Sequence, residues 1–144
     1  MNTPTIGEER LRTLYSIMAG IPAEKVHMKN WRGWSTMPDE TLIHNCGTAA
    51  CAVGWACAYP EFQEHGLDYV SGMPFFAGES NWLAVQKFFG LSHTEAQAMF
   101  MVTSVGLVAK LGVLRRIRRH LLNAGVINEL RNQQLILEEE GITS

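Results

Sequence analysis

Cys46 is the residue best placed to do chemistry. It follows His44 by two positions and stands directly ahead of Gly47-Thr48-Ala49-Ala50. Small residues there, with Asn45 or Thr48 as a cap, predict a helix start near residue 47. A thiol beside a helix N-terminus has its thiolate form favoured. Nearby backbone N–H groups can stabilise an oxyanion, and His44, His65, His93 or His120 can act as base. This is the reading of a cysteine-dependent hydrolase or transferase, with Cys46 as nucleophile and His44 its nearest partner. Against it, no complete triad is visible, and the Cys-Gly pair lacks the aromatic continuation of papain-like sites. Cysteine is also among the most buried residue types. The balance favours a protein that is not an enzyme and has no assigned catalytic residue.

The other cysteines carry less. Residues five and six apart in a helix have Cα atoms about 8.6 and ~10 Å apart, beyond the ~7 Å limit of a disulfide. Cys51 and Cys57 therefore do not pair if both are helical. Cys46 and Cys51 escape that argument if Cys46 lies in the preceding loop. His44, Cys46, Cys51 and Cys57 supply four metal-binding side chains, but their spacing is not that of common zinc sites. No metal and no cofactor are expected.

Two contact candidates stand out. Trp31 and Trp34 sit in an aperiodic stretch, residues 30–45, read as an ordered loop pinned by the two indoles. Lys110, Arg115, Arg116, Arg118, Arg119 and His120 form the densest basic run. On a helix these charges lie away from the Leu114, Ile117, Leu121 stripe. That face can meet phosphates, face water, or dock on the acidic Glu138-Glu139-Glu140 run. Phe89-Gly90-Leu91-Ser92 has the look of a helix-turn-helix elbow. However, Gln86 occupies the position where the helices would cross, and residues 93–101 hold no Lys or Arg to meet DNA. Met73, Phe75, Phe76, Phe88, Phe89, Met99, Phe100 and Met101 form a soft apolar set read mostly as core.

These residues need elements to hold them. Leu11, Leu14, Ile17 and Met18 give an apolar face to a helix over residues 7–19, ended by Gly20 and Pro22, with a short segment over 23–28 behind it. A helix from about residue 47 stops before Pro60. Its Ala49, Ala50, Ala52, Gly54, Ala56 and Ala58 leave little bulk, and Gly54 costs about 1 kcal/mol of helix propensity. Such a helix belongs at the centre of the fold, packed tightly. Residues 67–76 suit a small hairpin around Ser71-Gly72. A helix over 81–89 ends at a left-handed Gly90. Ser92 and Glu95 form a capping box for a helix from 93 to about 103. Residues 105–124 are helical, with Gly106 and Gly112 as points of interruption and Gly125 as stop. Residues 127–139 make a last helix.

The expected class is mainly α: a compact single-domain bundle of about five to six helices over residues 1–144, with one short hairpin near 67–76 and fraying ends at about 1–6 and 141–144. The chain has 144 residues, 47% hydrophobic and only 18% charged, enough for a core and unlike a disordered chain. A net charge of −2 gives no general attraction to nucleic acid or anionic membranes. No apolar run reaches a membrane span, the N-terminal residues lack a signal-peptide layout, and an odd three cysteines suit a reducing cytoplasm.

Three segments together carry a resemblance. They are Ile21-Pro22-Ala23-Glu24-Lys25-Val26-His27-Met28-Lys29-Asn30-Trp31, then Cys46-Gly47-Thr48-Ala49-Ala50-Cys51-Ala52-Val53-Gly54-Trp55-Ala56, then Phe88-Phe89-Gly90-Leu91-Ser92. In that order they resemble a group of small uncharacterised proteins of tailed bacteriophages and prophages, over residues 21–100. The resemblance implies the cytoplasm of a bacterial host, and a role in host takeover or anti-defence through binding a host protein or a small molecule. It transfers no catalytic residue. The expectation is thus a phage accessory protein that binds, with Trp31, Trp34, Arg115, Arg116, Arg118 and Arg119 as contact residues. A cysteine enzyme using Cys46 and a nucleic-acid regulator using residues 110–120 are the alternatives. Nucleic acid is not the favoured partner, no membrane is expected, and a homo-oligomer is compatible with the sequence.

Overall fold

The computed structural model describes residues 4–21, 52–70, 73–100 and 106–142. Among them are seven helices and a small antiparallel sheet: α1 (Ile6–Gly20), α2 (Ala52–Ala58), α3 (Pro60–Glu64), β1 (Asp68–Val70), β2 (Met73–Phe76), β3 (Glu79–Ser80), α4 (Trp82–Phe89), α5 (His93–Phe100), α6 (Gly106–Asn123) and α7 (Glu129–Ile142). The class is mainly α, as the periodicity implies. The helices outnumber the expected five to six partly because Pro60 does two jobs. It stops α2 and then opens α3 from its first turn, where a missing N–H costs nothing. The expected hairpin near residues 67–76 is β1–β2, and Ala77-Gly78 turns the chain once more to add β3, giving the order β1-β2-β3.

α1 starts with a reciprocal cap. Thr5 Oγ1 accepts from the Glu8 N–H, and Glu8 Oε1 accepts from the Thr5 N–H. Gly7, Leu11, Leu14 and Met18 form its buried face. Gly7 is forced by contact: a Cβ there would lie 2.3 Å from the Phe89 carbonyl oxygen. The N-terminus of α1 thus rests on the C-terminal backbone of α4, which ends at Gly90 in the left-handed conformation. α6 runs unbroken through Gly112. α7 begins two residues after the expected start because Asn128 caps it, its Oδ1 accepting from the Arg131 N–H at 2.8 Å. It also continues through Gly141.

One apolar cluster joins residues from all seven helices. Ala52, Val53, Gly54, Ala56 and Cys57 of α2 are all buried, so the described part of the small-residue helix lies inside. Phe62 and Phe88 pack edge to face at 5.0 Å, as do Phe88 and Phe89, and Phe76 and Phe88, the arrangement that ring quadrupoles prefer.

Three cations tie helices together end to side. α1 and α5 have no basic residue in their last turns, where carbonyls lack helical partners and the dipole is negative. Lys110 of α6, only 5% exposed, donates to the Ala19 and Ile21 carbonyls at 3.0 and 2.7 Å. Arg116 Nε donates to the Met99 carbonyl at 2.8 Å. Arg10 of α1 donates through Nη1 to the Phe88 carbonyl near the end of α4 and lies 4.1 Å over the Phe88 ring.

Candidate functional site

The basic run divides on folding. Arg118 is 8% exposed and sits in a polar network between helices. Its Nε donates to Glu139 Oε2 at 2.8 Å, its Nη2 reaches Oε1 at 3.3 Å, and its Nη1 donates to Asn132 Oδ1 at 2.8 Å. Tyr15 of α1 donates its hydroxyl to Glu139 Oε2 at 2.6 Å. Burial, with the Glu139 carboxylate beside it, raises the Tyr15 pKa well above the ordinary phenol value. The physical reason for Arg118's place inside is that α7 returns across α6 and brings an acidic partner to it. Arg116 is half-buried and committed through Nε to Met99, and burial lowers its pKa. Arg115 and Arg119 remain exposed, with Arg115 only 3.9 Å from Glu139. Lys110 is occupied at the end of α1. The six-residue basic face is therefore not one surface: Arg115 and Arg119 are exposed, while Lys110, Arg116 and Arg118 tie helices together.

Trp31, Trp34, His44, Cys46 and Cys51 lie outside the described residues, as do the segment over 23–28 and the loop over 30–45. Cys57 is buried. His93 Nδ1 is 3.2 Å from Gln86 Nε2, and His120 Nδ1 is 3.7 Å from Glu95. Among the described residues, no group of three His, Cys, Asp or Glu side chains lies together as a metal site would need. No helix among them is long and apolar enough to cross a membrane.

What the chain does build is a cleft of about 470 Å³, within the range of small-molecule sites. One wall is the second face of α1, where Ile6, Glu9, Arg10, Thr13 and Ser16 recur at three- and four-residue spacing. Phe62 and His65 of the α3 region also line the cleft. Leu121, Ile127 and Leu135, from the α6–α7 corner, supply apolar floor, and Arg131 stands at the rim of α7. Tyr15 lies at the base, joining the cleft to the Arg118–Glu139 network.

The electrostatics of the cleft are uneven. Arg10, Arg12 and Arg131 line it together with Glu9 and Glu61. Arg10 is half-buried, and burial holds its guanidinium pKa below the usual value, although it stays charged. Its Nε–H is buried with no hydrogen-bond partner among the described residues. Neither Arg10 nor Arg12 has a carboxylate within ion-pair distance among those residues. Arg131 reaches Glu138 only at 4.0 Å, with both side chains exposed.

No protein-family profile, curated protein or solved structure matches the chain.

The cleft residues escape sequence reasoning for a plain reason. The available signal was the second periodic face of α1, with two arginines on or beside it. Its facing walls come from residues 61–65 and 121–135, and no local pattern links those stretches.

Proposed function

We propose that this chain works by binding, with the cleft between α1, α3 and the α6–α7 corner as its small-molecule site. The observation that carries the reading is the cleft itself: a built concavity with an apolar floor, polar walls and a half-buried cation. The resemblance to phage proteins suggests the setting, an accessory protein in the cytoplasm of a bacterial host that captures a host molecule for host takeover or anti-defence.

The test is to titrate isotope-labelled protein with fractionated bacterial metabolites and follow backbone amide signals. Shifts should cluster at residues 9–16, 61–65 and 127–135. Shifts confined to other surfaces, or none with any fraction, would sink the assignment. A protein partner is the second reading. It is favoured by Leu130 and Leu137, 69% and 66% exposed and seven residues apart, hence on one side of α7. A captured host protein should be released by Leu130→Gln with Leu137→Gln; capture unchanged by that pair would remove this surface from consideration.

A further inference from the structure

We infer that the cleft takes a small organic anion, a carboxylate or phosphate carried on an apolar body. The inference rests on the reading of the cleft as the binding site and adds the chemistry of the ligand. Arg10, Arg12 and Arg131 reach the cleft from two helices, α1 and α7. A guanidinium presents a fixed fork of donors that matches an oxyanion. Arg10 is the telling one. It is half-buried, its Nη1 is spent on a neutral carbonyl, and its buried Nε–H has no hydrogen-bond partner among the described residues. A partly desolvated charge with no carboxylate at ion-pair distance among the described residues is costly, and an anion in the cleft that Arg10 lines offsets that cost through space. Glu9 and Glu61 also line the cleft; they are exposed, as are Arg12 and Arg131, so water screens these four alike and the half-buried Arg10 tips the balance toward an anion. The apolar floor of Leu121, Ile127 and Leu135 then favours a ligand with a hydrophobic body over a bare inorganic ion.

A matched pair of dyes tests this. 8-Anilinonaphthalene-1-sulfonate and N-phenyl-1-naphthylamine share an aromatic body, and only the first bears an anion. The sulfonate should bind one to one, with blue-shifted emission, and at least about tenfold tighter than the neutral dye, as charge-assisted hydrogen bonds imply. Arg12→Gln with Arg131→Gln should weaken it by about tenfold. These two are chosen because both side chains are exposed, so the fold survives their loss. Glu9→Gln with Glu61→Gln should tighten it. Phenyl phosphate or benzoate should displace the dye, and whichever does so better identifies the preferred oxyanion.

Equal binding of the neutral dye, or indifference to both charge variants, would overturn the anion while leaving the cleft as a binding site. Weakening by the glutamate variants would overturn it in favour of a cation. No saturable binding of either dye, or binding untouched by Ser16→Trp at the cleft wall, would bring down the cleft itself.

Discussion

At the scale of single residues, two positions are under the tightest constraint. Gly7 meets the Phe89 carbonyl, and a methyl group there would sit far inside contact distance of backbone atoms. A backbone cannot swing aside as a side chain can. Gly7→Ala should therefore destabilise by at least about 2 kcal/mol, read by chemical denaturation; an unchanged midpoint would mean the two helix ends do not touch. The second is the Arg118–Glu139 pair. Removing one partner strands a buried charge, so Arg118→Met or Glu139→Leu alone should cost about 3–5 kcal/mol. The double variant Arg118→Met with Glu139→Leu should recover much of that loss, because both desolvation penalties disappear together. Strict additivity of the two single losses would contradict the coupling. Tyr15→Phe removes one bond to the same carboxylate and should cost about 1.5–3 kcal/mol.

At the scale of elements, turn and cap chemistry decide more than propensity does. β2 and β3 are joined by Ala77 and Gly78, both with positive φ, at 52° and 82°. The pairing of Phe76 with Glu79 leaves only those two residues in the loop, so this is a type I′ turn. It suits Asn-Gly and strains alanine. Ala77→Asn should stabilise the protein by about 0.5–1 kcal/mol, seen as a raised thermal midpoint; a fall would show that the turn differs. The start of α5 carries the reciprocal Ser92 and Glu95 cap, at 3.1 and 2.9 Å. The Ser92 N–H holds the Glu95 carboxyl below its ordinary pKa, with lesser help from the Ser92 hydroxyl and His120 and against slight burial. A folded value below the unfolded one means the contribution is present above the ordinary carboxylate range. It is lost as pH falls through the lowered value. A carbon-13 titration of the Glu95 carboxyl should place its midpoint below that range, and Ser92→Ala should cost about 1 kcal/mol. A midpoint in the ordinary range would show that the cap does not persist in solution.

At the scale of the whole molecule, the theme is long-range polar ties laid over one apolar cluster. Lys110, Arg10 and Arg116 each donate to a carbonyl near the end of another helix, and Arg118 joins α6 to α7 and, through Glu139, to α1. Ties of this kind make the helices depend on one another's position. Unfolding followed by far-ultraviolet and near-ultraviolet circular dichroism should therefore give coincident transitions. Separate midpoints would mean that the helices melt as independent groups. The same ties explain why the run from Lys110 to His120 presents no continuous basic surface. Along the sequence these cations look like a nucleic-acid face, but Lys110 and Arg116 cap helix ends and Arg118 pairs with Glu139, which leaves Arg115 and Arg119 exposed.

The sequence by itself determined the helical class and most element boundaries, because these follow from short-range physics. The apolar spacing of Leu11, Leu14 and Met18, the left-handed stop at Gly90, the Ser92–Glu95 box and the Gly125 terminus are all written within a few residues of where they act. Position 60 was half legible: proline's clash with the preceding turn marks a stop, but its fitness for a first turn shows only when a helix follows. Tertiary structure alone decided which charges point inward and where a cleft forms. Arg118 and Arg119 are neighbours of the same type, yet one is buried and one is exposed, and only the return of α7 with Glu139 distinguishes them. Arg10, His65 and Arg131 likewise share a site only because three distant stretches converge. Local sequence records what a residue can do; the partners that fix its burial and charge state come from elsewhere in the chain.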